Sequence, residues 1–205
     1  EVETSDGLIE ASRIVAATGP FQKPIFPKIM PDDAGVSQIH SNDYHNPGQL
    51  PDGAVLVIGS GASGVQIADE LQRSGRAVYL SVGPHHRPPR SYRGRDYCWW
   101  LGGLGYWDIL AVEPGLVHIA ISVSGAYGGY SVDFRRLAAQ GITLVGMTQA
   151  YQAGVLQFAP DLGENIAQGD ANYLSVLQEA DAFAERHGLD LPDESEAHVL
   201  DPDPE

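Results

Sequence analysis

The sequence predicts an α/β fold organised as a doubly wound parallel sheet, and three observations predict it. Residues 55–58, Val-Leu-Val-Ile, form an unbroken apolar run, the pattern of a parallel strand buried on both faces. The run enters a glycine-rich turn, Gly59-Ser60-Gly61-Ala62-Ser63-Gly64, and then a stretch with helical spacing. A second apolar run, Ala77 to Val82, follows, so strand, helix and strand succeed one another between Ala54 and Val82. With 205 residues, 43% of them apolar, the chain is large enough for one buried core and is not globally disordered.

The elements follow in order. Val2 to Thr4 reads as a short strand, Asp6-Gly7 as a turn, and the stretch through Ile9 to Val15 as a second strand. The chain opens at Glu1 without an initiator methionine and is expected to be truncated at both ends. Residues 17–53, rich in Pro, Gly, Asn and Asp, read as a crossing loop. In the central helix, Ile67 and Leu71 lie four apart and Val65 and Ala68 three apart; Ser74-Gly75 ends it. Residues 83–130 have no clean period. Their aromatic residues Tyr97, Trp99, Trp100, Tyr106 and Trp107 either line a substrate channel or, the preferred reading, cover a face left by an absent domain. Cys98 among them is expected to be a small buried filler. Phe134 to Gln140 predicts a short helix stopped by Gly141, and Ile142 to Val145 a strand that extends the sheet. Asp170 to His187 carries a helical stripe of Tyr173, Leu174, Leu177, Ala180 and Phe183, capped by Gly188 and expected to pack on a neighbouring domain.

Composition excludes several classes. The 27 acids against 12 bases give a formal net charge of −15, which repels a phosphate backbone, so nucleic acid is not an expected partner. A lone cysteine excludes a disulfide framework, a CxxC pair and a cysteine-based zinc site within the chain. No apolar run approaches the length of a membrane span and no basic-then-apolar leader opens the chain, so a cytoplasmic protein is expected. His85 and His86 lack a third partner at ligand spacing, and no metal is expected. The charge is split: six arginines (73, 76, 87, 90, 93 and 95) and no acid between Leu71 and Arg95, but thirteen acids against Arg186 from Asp161 onward. The acidic end reads as a solvated surface, finishing in a frayed tail or linker, Asp-Pro-Asp-Pro-Glu.

The turn between the two strands carries the chemistry. Gly59, Gly61 and Gly64 match G-x-G-x-x-G in the strand–turn–helix context that a Rossmann-like dinucleotide site needs. Gly59 permits the tight turn, Gly61 lets a diphosphate approach the backbone, and Gly64 lets the helix sit close to the strand. Ser60, Ala62 and Ser63 complete the loop, and the helix N-terminus offers free amides to the phosphates. Where an NAD site carries an acid at the end of the second strand, no acid occurs between Glu70 and Asp96. Ser81 and Arg87 stand there instead and suit a 2′-phosphate, which predicts NADPH over NADH. The arginine run otherwise forms an exposed loop or pairs with the acidic tail.

Three motifs together resemble a family. Ala17-Thr18-Gly19-Pro20-Phe21 with Pro24 and Pro27, then His40-Ser41-Asn42-Asp43-Tyr44, then the glycine loop are similar to the flavin-containing monooxygenases and their Baeyer–Villiger relatives. Arg90 to Asp96 and Trp99-Trp100-Leu101 resemble a bacterial subgroup, and the likeness spans residues 8–101. It implies two cofactors, FAD and NADPH, and four regions: residues 1–19 ending an FAD-binding domain, a linker over 20–53, an NADPH-binding Rossmann-like domain with an insertion over 54–160, and a helix with acidic tail over 161–205. Thr18 and Gly19 mark the crossing between domains; His40, with Tyr44, would lie in a hinge near the nicotinamide cleft. The implied reaction passes hydride from NADPH to FAD, takes up O₂ as a peroxyflavin, and oxygenates a small-molecule N, S or ketone substrate. The glycine loop that holds FAD in such enzymes is absent, so the implied partner is a missing FAD-binding portion of the parent protein. The alternatives are a flavoprotein of the pyridine-nucleotide-disulfide-reductase kind and a non-enzymatic NADP-sensing module.

Overall fold

Residues 1–15, 17, 23–31, 33–109 and 119–201 are described by a computed structural model. The chain opens with an antiparallel hairpin, β1 (Val2–Thr4) and β2 (Gly7–Ile9), with Thr4 opposite Gly7. The second strand stops well short of Val15, because no described strand pairs with the segment and Ile14 and Val15 are exposed. The chain continues through β3 (Val55–Ile58), α1 (Ala62–Arg73) and β4 (Val78–Ser81). Short strands β5 (His85–His86), β6 (Ser91–Tyr92) and β7 (Arg95–Asp96) precede α2 (Tyr97–Gly103). Beyond lie β8 (Ala120–Ile121), β9 (Val123–Ser124), β10 (Tyr130–Ser131), α3 (Phe134–Ala139) and β11 (Thr143–Val145). A hairpin of β12 (Thr148–Gln152) and β13 (Val155–Phe158) leads into the long α4 (Leu162–Arg186).

The central sheet is parallel, in the order β11-β4-β3, so the predicted strand after the short helix does extend it. Strand alternation divides its side chains between two faces. Val55, Val57, Val78, Leu80 and Leu144 pack with Val65, Ala68 and Leu71 of α1 and with Phe134 and Leu137 of α3. Each fully buried Val or Leu there contributes about 1.5–3 kcal/mol. The opposite face departs from the expectation of burial on both sides: among the described residues Ile58 is 49% exposed, Tyr79 42%, and Thr143 is exposed too. Among the described residues that face is half-buried at Leu56 and Val145 and closed at Ser81, by the start of β12.

A second core lies between α2 and α4, where Tyr92 and Trp100 pack with Leu177, Ala180 and Phe183. The aromatic stretch therefore packs largely on the chain's own long helix. Cys98 is exposed, because the inward position is taken by Trp100. Helix α4 starts eight residues before the predicted Asp170. Its inner face continues through buried Asn165, Gly169 and Asp170, and these polar or side-chain-free residues break the apolar stripe. Its acids pair with two arginines of the basic region, Arg87 with Asp170 at 2.6 Å and Arg93 with Asp181 at 3.0 Å, and the tail's Asp201 pairs with Arg136 of α3 at 2.5 Å. The acidic end is thus an internal partner for the basic loops as well as a surface. No helix is long and apolar enough to cross a membrane, and no cluster of three His, Cys, Asp or Glu is placed to hold a metal, among the described residues.

Candidate dinucleotide site

The loop between β3 and α1 is shaped by two of its three glycines. Gly59 sits at φ +104°, a conformation side chains rarely adopt, and its amide donates to the Ser81 carbonyl at 3.1 Å. At Gly64 a Cβ would stand 1.9 Å from the Gly59 carbonyl oxygen, so only glycine lets the first turn of α1 lie against the loop. Gly61 differs. Its φ is −70°, and a Cβ there would meet nothing closer than the Ala120 methyl at 3.6 Å, an ordinary contact. The fold requires the first and third glycines and not the second.

Helix α1 begins at Ala62 with Gly61 as its N-cap and no side-chain cap. Its first backbone bond is from the Val65 amide to the Gly61 carbonyl, at 3.0 Å. The amides of Ala62, Ser63 and Gly64 precede that bond and are the helix's uncommitted donors. Ser63 is exposed beside them. Ser60 is 2% exposed, and its hydroxyl has no hydrogen-bond partner among the described residues. The Ser60 carbonyl accepts from the Ser122 hydroxyl at 2.5 Å. Ser122 belongs to a segment that pairs with β5 through β8 and lies along the loop; nothing in the sequence near the glycines indicates it.

The tip of β4 does not present the two predicted 2′-phosphate ligands. The Ser81 hydroxyl donates to the Gly146 carbonyl at 3.0 Å and accepts from the amide and hydroxyl of Thr148 at 3.0 and 2.8 Å, which uses its whole capacity. Arg87 is 3% exposed; its Nε donates to Asp170 at 2.8 Å, its Nη1 to the Val132 carbonyl at 3.2 Å, and its guanidinium lies 4.5 Å over the Tyr173 ring. Both side chains are consumed inside the protein, a correction to their predicted role. What stands at the tip is the start of α4: Asp161 accepts from the Met147 amide at 3.0 Å, and the Asn165 side chain donates to the Val82 carbonyl at 3.0 Å. Next to it His85 is fully buried, with Nδ1 against the Gly83 carbonyl at 3.0 Å; burial pushes its pKa down.

Thr18 and Gly19 lie outside the described residues. Tyr44 fastens the linker to α1: its phenol donates to Glu70 at 2.8 Å, and burial, then that bond, pushes its pKa up. His40 sits in a turn, its Nδ1 accepting from the Asn42 amide at 3.2 Å and its ring edge-on to Phe26 at 5.7 Å. The structure thus gathers Gly59 to Gly64 into one loop and gives His40 and Tyr44 local partners in the linker. Two clefts, of about 70 and 410 Å³, share Ser131, Asp133 and Arg136 and lie between α3 and its neighbours, away from the glycine loop.

The loop fits a diphosphate: it has uncapped amides at a helix N-terminus, a buried hydroxyl without a partner, and a glycine whose missing side chain the fold does not demand. For FAD, the sequence holds no second G-x-G-x-x-G.

By sequence the chain is similar to known oxidoreductases. Residues 1–100 match the family described as pyridine nucleotide-disulphide oxidoreductase. The chain is 43% identical over 111 residues to an uncharacterized CzcO-like oxidoreductase of Geobacillus kaustophilus, covering 53% of this chain and 32% of that protein. It is 38% identical over 106 residues to the CzcO oxidoreductase of Bacillus subtilis, covering 51% and 30%. It is 38% identical over 76 residues to the flavin-containing monooxygenase iboF of Amanita muscaria, covering 35% and 14%. The chain spans about a third of the length of the curated CzcO-type relatives it matches. No solved structure matches it significantly. By sequence, then, the first hundred residues are similar to the family described as pyridine nucleotide-disulphide oxidoreductase, and about half of the chain is similar to CzcO-type oxidoreductases, with shorter likenesses to flavin-containing monooxygenases.

Proposed function

We propose that the β3–α1–β4 unit binds the diphosphate of NADPH and is the nicotinamide-binding half of an FAD-dependent, monooxygenase-like oxidoreductase. One observation carries this reading: Gly61 is a glycine the fold does not require, placed beside the free amides of Ala62 to Gly64 and the unpartnered hydroxyl of Ser60. The positive end of α1 and those amides favour a diphosphate. The missing carboxylate between Glu70 and Asp96 supports the phosphorylated cofactor, because an acid there would repel a 2′-phosphate. Ser81 and Arg87 have no direct part in it.

In this reading the chain's own work is binding and orientation. The loop amides hold the diphosphate, and Ala120 to Ser122 flank it on one side. When bound, the nicotinamide supplies a hydride for a flavin. FAD and the N, S or ketone substrate are held by the rest of the polypeptide, for which the uncovered sheet face at Ile58 and Tyr79 is the docking surface. A disulfide-reductase activity needs a pair of thiols; this chain carries Cys98 alone, so in that second reading a partner thiol would come from elsewhere in the polypeptide. Titration calorimetry of the full 205-residue chain tests the reading. Weak, saturable heat with NADPH, less with NADH, and no oxygenation are expected; no heat at millimolar NADPH refutes it.

A further inference from the structure

Resting on that reading, we propose that Ser122 is a positioning residue of the dinucleotide loop, acting through Ser60. Ser122 is fully buried and bonded at both ends. Its amide donates to the His86 carbonyl at 2.7 Å, which fixes it to the strand that follows β4. Its hydroxyl donates to the Ser60 carbonyl at 2.5 Å, which fixes it to the glycine loop. One serine therefore ties the glycine loop to the strand that follows β4, where the cofactor is expected.

The consequence for the loop is directional. In a trans peptide the carbonyl and the next residue's N–H lie in one plane and point in opposite directions. Holding the Ser60 carbonyl toward Ser122 therefore sets the orientation of the Gly61 amide, the first of the loop's donors. It also fixes the backbone that carries the Ser60 hydroxyl, which is buried and without a hydrogen-bond partner among the described residues. Ala120 reinforces this from the side, its methyl 3.6 Å from the place a Gly61 Cβ would occupy. The loop is thus pre-set by a segment 62 residues further along the chain.

The experiment uses the full chain with two probes, NADPH and inorganic pyrophosphate, the second of which carries the diphosphate alone. Calorimetric Kd values are compared with urea denaturation midpoints. Ser122→Ala is expected to weaken both probes by the same factor, about three- to tenfold, the loss expected for one hydrogen bond. Ser60→Ala removes only the hydroxyl and leaves the carbonyl that Ser122 holds, so it is expected to weaken both as well, and Ser122→Ala in that background to weaken them further through the Gly61 amide. Ser122→Cys keeps the volume with a poor donor and carries the test should the alanine variant unfold; Ser122→Thr, which keeps the donor, restores binding. Unchanged Kd values in a destabilised Ser122 variant, or a Ser122→Thr chain that binds no better than Ser122→Ala, overturn the proposal while leaving the dinucleotide reading intact. Failure of the unsubstituted chain to bind either probe overturns that reading first, and this one with it.

Discussion

Replacing Gly61 and Gly64 separately by alanine should split binding from folding. At Gly61 the backbone already has an ordinary φ of −70°, and the new methyl meets Ala120 at 3.6 Å. The stiffer unfolded chain stabilises by about 0.4–1 kcal/mol, and the loss of glycine at a helix N-cap costs a similar amount, so stability should stay within about 0.5 kcal/mol of the original. In the proposed binding mode the methyl stands where the diphosphate approaches, and NADPH affinity should fall at least tenfold, about 1.4 kcal/mol. At Gly64 the methyl would stand 1.9 Å from a backbone oxygen that cannot swing away, so helix and loop must separate at a cost of about 1–3 kcal/mol or more. Urea denaturation read by tryptophan fluorescence measures the first quantity, and calorimetry the second. A Gly61→Ala chain that unfolds early, or one that binds NADPH as well as the original, refutes the reasoning.

Other consequences follow from the interior. Arg87→Ala breaks a buried ion pair with Asp170 and should cost about 3–5 kcal/mol in urea denaturation, with no change in the ratio of NADPH to NADH affinity. His85 is held neutral, its pKa below 6.5 chiefly by burial. The unfolded chain therefore takes up a proton that the folded chain refuses. Stability is full above pH 6.5 and should fall by up to about 1.4 kcal/mol per pH unit below it. His85→Gln should flatten that slope in pH-dependent denaturation. Gly169→Ala would place a methyl 2.3 Å from His85 Nε2 and should lower the urea midpoint by the equivalent of about 1–3 kcal/mol. Cys98 is exposed and should react with a thiol reagent in the native state, without denaturant.

What the sequence disclosed was what neighbours along the chain decide. The strand–glycine–helix–strand unit is local: apolar periodicity and the punctuation of Gly59 and Ser74-Gly75 are enough to place it. Roles that depend on distant residues were not legible. Ser81 lies at the expected position for a phosphate ligand, but its hydroxyl is taken by Thr148, 67 residues away. Arg87 meets Asp170 across 83 residues, and only the split of charge along the chain hinted that the basic loops had acidic partners within it. The start of α4 was hidden because Asn165 and Gly169 face inward for specific contacts, with the Val82 carbonyl and the His85 ring, where a hydrophobic stripe would show only apolar residues. Trp100 was read as facing a missing neighbour because its partners on α4 come from a segment far along the sequence.

The central claim is that the amides opening α1, behind Ser60, seat the diphosphate of a nicotinamide dinucleotide. The most direct measurement is an amide-resolved NMR titration of the ¹⁵N-labelled chain with NADPH. The account predicts saturating shifts centred on Ser60, Gly61, Ala62, Ser63 and Gly64, reproduced there by pyrophosphate alone. Shifts that leave these five amides unmoved at millimolar cofactor, or that gather instead in the cleft around Arg136, would contradict it.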